Sequence, residues 1–200
     1  MNTKNNTKYQ RRSAPLRVGF DLDGVLLYNP ARVARMPITL IKKILTHKSE
    51  IKFYTPKSKV EKIIWRMLHW SSIFPAHGID DIKELVDMGK IEAYLISGRF
   101  SFLEADLKWW LNRIQLIGHF TGIHFNKKDE QPHLFKERMI KKLGLDIFVE
   151  DNFDIVSHLT RKSDAKIYWI YNLLDHFIPH PYKFSRLNQV VKKIKEDIGT

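Results

Sequence analysis

The chain has 200 residues, 44% hydrophobic and 28% charged, with a formal net charge of +12. That length suits one domain, or one core with a small insertion, and the balance is that of an ordinary globular protein with no stretch apolar enough to span a membrane. The absence of cysteine excludes disulfides, thiolate metal sites and a cysteine nucleophile, and it fits a reducing cytoplasm.

Residues 1 to 15, MNTKNNTKYQRRSAP, contain Lys4, Lys8, Arg11 and Arg12, no acid, and no apolar segment of the kind a secretory signal needs. They read as a disordered basic arm. An apolar run, Val18 to Phe20, then leads into Asp21, Asp23 and Gly24. A strand alternates its side chains with a period of two, so the two acids start out on one side. Carboxylates that close repel each other and call for a cation between them. Gly24 permits a sharp turn or a close approach to a ligand.

The next strand-like run, Glu92 to Ser97, comes much later than the roughly thirty residues of a single crossover unit would place it. Residues 29 to 78 therefore read as an insertion, and a helical one. Leu40, Ile41, Ile44 and Leu45 have helical spacing, as do Val60, Ile63, Ile64, Met67 and Leu68. Ser58 and Glu61 form a capping box ahead of the second stripe. Trp65, His69 and Trp70 are candidates to line a pocket, although packing inside the insertion is the plainer reading.

Beyond the insertion, Asp81 and Glu84 are expected to cap a helix that stops at Gly89. The strand ending at Ser97 follows, then a helix opened by Ser101 and Glu104. His119 to Phe125 is a further strand. Pro132 starts a helix that Gly144 ends. Leu145 to Val149 is a short apolar strand running into Glu150 and Asp151, and Asn152 suits the cap of the helix after it. Lys166 to Tyr171 is another strand, and Ser185 is expected to cap a last amphipathic helix carrying Leu187, Val190, Val191 and Ile194. Strands alternating with helices predict a parallel sheet with helices on both faces. Such sheets bind ligands at the carboxyl ends of their strands. In this reading Asp21, Ser97 and Glu150–Asp151 each close a strand, which gathers them at one rim. Ser97, followed by Gly98 with its N–H and by the cation Arg99, could hold a phosphate oxygen. Lys136 opens the helix before the acidic strand, with Lys127 and Lys128 as nearby alternatives.

RVGFDLDGVLL, YLISGR, the lysine of HLFKERMIKKLG and the acidic pair of IFVEDNFD resemble, in that order, the four motifs of the haloacid-dehalogenase-like (HAD) superfamily. Its members are mostly Mg-dependent phosphatases, and the resemblance runs from about Arg17 to Tyr171. It implies an α/β, Rossmann-like three-layer parallel sheet, with the core in residues 16–28 and 79–200 and a small helical cap, residues 29–78, inserted after strand 1. It implies Asp21 as nucleophile forming an aspartyl-phosphate, Asp23 as acid and base, and Ser97 and Lys136 as stabilisers of the phosphoryl oxygens. Gly98 and Arg99 would bind substrate. Mg²⁺ would lie among Asp21, Asp23 (through its carbonyl), Asp151 and Glu150, the last directly or through water. Glu150 departs from the commoner Asp in that position. The cap length, the SGR stretch and Tyr171–Asn172 resemble more narrowly the 5′-nucleotidase type C-like branch, which implies a nucleoside monophosphate as substrate. A sugar phosphate or other small phosphomonoester is the alternative among enzymes. The charge and the basic arm suggest a different class, a nucleic-acid-binding or end-processing protein. No membrane partner is implied.

Overall fold

The apolar alternation in each strand sorts its side chains to two sides of one sheet. In the computed structural model, which describes residues 14–28, 51–70, 74–172 and 175–199, β1 (Leu16–Phe20) is central. It pairs in parallel with β4 (Ile91–Phe100) on one side and β6 (Ile147–Glu150) on the other. β5 (Gly122–Asn126) lies outside β4, and β7 (Lys166–Ile170) and β8 (Lys183–Phe184) lie outside β6. The order is β5-β4-β1-β6-β7-β8, six strands, all parallel.

Val18, Phe20, Leu95, Val149 and Tyr168 face one core, shared with helices α2 (Ile79–Asp87), α3 (Glu104–Arg113) and α6 (Leu187–Asp197). Their neighbours Ile96, Phe148 and Trp169 face the other, shared with α4 (Pro132–Leu143) and α5 (Phe153–Lys162). The period of two thus yields three layers. Gly19 faces the second core, where a Cβ would lie 2.5 Å from Leu145 Cδ1 and 2.8 Å from Phe148 Cδ2.

The helix signals act mostly where the sequence puts them. Pro132 opens α4, and Gly144 ends it in a left-handed conformation at φ 56°. Asn152 caps α5 by accepting from the amides of Asp154 and Ile155. Three expectations are corrected. α2 starts after Gly78 with no side-chain cap, and Asp81 sits inside it. Arg186, not Ser185, precedes α6, and Ser185 instead bonds the Gln189 side chain. β4 does not stop at Ser97 but runs on to Phe100, with a register shift against β5 between those residues.

Where the chain leaves β1, Gly24 (φ 82°) turns it back. The two ends of the insertion then meet in an antiparallel pair, β2 (Leu27–Tyr28) with β3 (Phe74–Pro75). Of the insertion, the described residues include one helix, α1 (Lys59–Trp70). Its capping box is formed: Glu61 N–H donates to Ser58 Oγ (3.1 Å) and Ser58 N–H to Glu61 Oε2 (3.0 Å). No residue of α1 is buried. Residues 1–13 of the expected arm and the stripe from Leu40 to Leu45 lie outside the described residues. Among the described residues, no helix is long and apolar enough to cross a membrane.

At the far side of the sheet, Lys183 of β8 donates to the carbonyls of Asp175 (3.1 Å), His176 and Ile178 (2.7 Å). Its ammonium also stands over the rings of Trp169 and Tyr171.

Candidate active site

β1 and β6 are adjacent and parallel, so the residues that follow them emerge side by side. Asp21 comes directly after β1, and its N–H donates to the Val149 carbonyl at 3.0 Å. Glu150 is the last residue of β6 and Asp151 the next. One oxygen from each of Asp21, Glu150 and Asp151 lies within 4.8 Å of the other two. Lys136, on the first turns of α4, reaches the same corner: its Nζ is 2.6 Å from Glu150 Oε2 and 3.1 Å from Asp21 Oδ2. Gly98 makes that approach possible, since a Cβ there would stand 3.0 Å from Pro132 Cβ and 3.6 Å from Lys136 Cε.

Burial sets the electrostatics of this corner. Asp21, Lys136 and Glu150 are all buried. Burial pushes the Asp21 carboxyl up; Lys136 opposes this, while Asp151 and Asp23 add to it. Glu150 is also raised, by burial first and then by the neighbouring acids, against the pull of Lys136. For Lys136 burial works against the charge, but Asp21 and Glu150 outweigh it and the ammonium is held more firmly than usual. Both Glu150 oxygens are engaged, Oε2 by Lys136 and Oε1 by the Asn152 N–H at 3.0 Å. The indole N–H of Trp169 donates to the Asp151 carbonyl at 3.1 Å, which fixes the backbone of the turn.

Asp23 belongs to a second group. Arg99 grips it with a two-bond fork, Nε to Oδ2 at 2.8 Å and Nη2 to Oδ1 at 2.7 Å. His69 Nδ1, from α1, lies 3.4 Å from Asp23 Oδ2. Burial alone would raise Asp23, but the Arg99 guanidinium overrides it and holds the carboxyl well below the usual range. Arg99 is itself buried, and its Nη1 has no hydrogen-bond partner.

These groups surround a cavity of about 140 Å³. Asp21, Asp23, Gly98, Arg99, Lys136, Glu150 and Asp151 line it together with Phe53, Tyr54, Trp65, His69 and Phe100. Ser97 is not among its lining residues; it is buried within β4, where its hydroxyl accepts the Arg99 N–H at 3.3 Å. The continuation of β4 past Ser97 puts Gly98 and Arg99, rather than the serine, on the cavity wall. Of the three aromatic candidates on the insertion, Trp65 and His69 line the cavity, and Trp70 is exposed.

Sequence reasoning gave no role to Phe53 and Tyr54. They belong to the irregular segment before α1, which Gln131 holds in place: Phe53 N–H donates to Gln131 Oε1 (2.7 Å) and Gln131 Nε2 to the Phe53 carbonyl (3.3 Å). The contact that holds Phe53 is 78 residues away in sequence, and Tyr54 packs against Trp65, so neither position shows in the local pattern.

The donor set Asp21, Glu150 and Asp151 consists of oxygens alone, which suits a hard divalent cation such as Mg²⁺.

No family model matches the sequence, and no curated protein matches it. Solved structures do. A HAD-superfamily hydrolase from Ehrlichia chaffeensis superposes with a TM-score of 0.53 at 11% identity, over 92% of this chain and 98% of that one. A candidate β-phosphoglucomutase from Thermotoga maritima gives 0.56 at 16% identity, over 90% and 99%. CbbY from Rhodobacter sphaeroides, solved in complex with phosphate, gives 0.57 at 10%, over 87% and 95%. The fold is that of the HAD-superfamily hydrolases.

Proposed function

We propose that this chain is a Mg-dependent phosphomonoester hydrolase that works through an aspartyl-phosphate. The observation that carries the reading is the convergence of Asp21, Asp151 and Lys136 on one end of the sheet, beside a cavity with room for a phosphoryl group. Asp21 attacks phosphorus in line, and the P–O bond to the leaving group breaks. Lys136 neutralises the equatorial oxygens. Arg99, with Nη1 unpaired, offers them a further donor. In this reading Asp23 is the acid toward the leaving oxygen and the base toward the water that hydrolyses the intermediate, and the Arg99 fork, which holds it ionised, favours the base half of that role. Ser97 acts through the backbone of Arg99. When bound, Mg²⁺ would cancel the repulsion between Asp21 and the phosphate dianion. Asp21, Asp151 and the Asp23 carbonyl would hold it. Glu150, with both oxygens already engaged, orients Lys136 instead.

The substrate of first choice is a nucleoside monophosphate. Tyr54, Trp65 and Phe100 give the cavity an aromatic wall against which a base can stack. At about 140 Å³ the cavity takes the phosphoryl end, and Tyr54, 51% exposed, meets the remainder at the mouth. A sugar phosphate is the second reading, favoured by the likeness to the Thermotoga candidate β-phosphoglucomutase. The chain lacks cysteine, and we place the enzyme in the reducing cytoplasm.

A phosphatase screen with Mg²⁺ tests this. Turnover of nucleoside monophosphates well above sugar phosphates, abolished by excess EDTA, is expected. Undiminished rates in EDTA would remove the metal, and salt-sensitive oligonucleotide binding without any turnover would replace the enzyme with a nucleic-acid partner.

A further inference from the structure

An acid outside the cavity contacts the helix that supplies one of its walls. α1 supplies Trp65 and His69 to the cavity, yet none of its residues is buried. Among the described residues, α1 meets the core through the Trp65 ring beside Phe100 and through polar contacts, two of which end on Asp106.

Asp106 lies in the first turn of α3 and is itself 9% exposed. Its Oδ2 accepts Arg66 Nε at 2.7 Å, and its Oδ1 accepts the Trp70 indole N–H at 3.3 Å. Arg66 and Trp70 are four residues apart and share a face of α1. Trp65 and His69 each precede one of them, about 100° around the same helix. A carboxylate that fixes residues 66 and 70 thereby fixes the rotation and height of residues 65 and 69. Trp65 then stands 6.5 Å from the Phe100 ring, and His69 stands beside Asp23.

We propose that Asp106 is a positioning residue for the reaction: by gripping Arg66 and Trp70 on successive turns of α1, it places Trp65 and His69 over the leaving-group side of the cavity. The proposal rests on the hydrolase reading and adds a specificity element to it. The competing account is purely local, since an acid in the first turn of α3 also complements that helix's dipole.

The experiment uses the full chain carrying Asp106→Ala, Arg66→Gln or both. Hydrogen exchange should show α1 amides losing protection on the order of tenfold, the equivalent of about 1.4 kcal/mol, while α3 and β4 stay protected. KM for a nucleoside monophosphate should rise on a similar scale. Glycerol 2-phosphate, which has no base to stack on Trp65, should show a much smaller rise in KM. The double variant should be no worse than Asp106→Ala, because Arg66→Gln removes a contact that Asp106→Ala has already broken. Fraying of α3 with α1 still protected, or an unchanged KM for the nucleotide, would overturn the proposal. Should the unaltered chain turn over no phosphomonoester, the hydrolase reading falls. The exchange pattern then still decides the seat: selective loss in α1 upholds it, and uniform loss sinks it.

Discussion

Helices α6 and α1 carry equally regular apolar stripes and use them in opposite ways. In α6, Leu187, Val190, Val191 and Ile194 all turn inward and are at most 2% exposed. In α1, Val60 is 66% exposed, Ile63 58% and Met67 68%, while the polar side chains Arg66 and His69 reach toward core acids. Periodicity reports that a helix has two faces; it does not report which face meets the protein. For α6 a large apolar sheet decides the matter. For α1, among the described residues, two carboxylates, Asp106 and Asp23, take Arg66, Trp70 and His69 as partners.

The contrast between a rigid acidic corner and a lightly held helix can be broken at several points. The largest effect belongs to the corner. Asp21→Asn should lower turnover of a phosphomonoester by about 10⁴-fold or more with the fold retained; retained activity would overturn the proposed nucleophile. Lys136→Met leaves Asp21 and Glu150 facing each other without their cation. A loss of about 3–5 kcal/mol is expected in urea denaturation, in addition to lost activity. The helices come next. Ile194→Ala should cost about 2–5 kcal/mol by opening a cavity in the core. Ser58→Ala removes the α1 cap and should cost about 1 kcal/mol, seen as faster amide exchange confined to the first turn of α1. Ile63→Lys, on the outward stripe, should change global stability by no more than about 0.5 kcal/mol. A drop as large as that for Ile194→Ala would mean that the stripe is packed, and would erase the contrast.

Much of this was legible in the sequence, for physical reasons that differ by element. β1, β6 and β7 are short apolar runs buried on both faces, and such runs stand out. Pro132 and Gly144 bracket α4 because one lacks an N–H at a position that needs none and the other accepts a positive φ. Asp21, Glu150 and Asp151 could be placed together because a parallel sheet delivers strand ends to one side, whereas Lys136, on α4, joined them only through the resemblance. What stayed hidden depends on distant partners. β4 runs beyond Ser97, where its register against β5 shifts. β8 is two residues long and has no pattern to detect. Phe53 takes its place from Gln131, and Asp106 looks like an ordinary acid at a helix start until α1 is seen against it.

The arrangement around Lys183 bears on how the protein behaves in a crowd. Outermost strands offer unpaired amides to passing chains, and β8 reduces that offer to two residues. A lysine on such a strand ordinarily discourages stacking by projecting charge into water. Here the ammonium is spent on three carbonyls and two rings. Protection against edge-to-edge aggregation on that side thus comes from brevity, not from repulsion, and lengthening β8 by redesign would expose it.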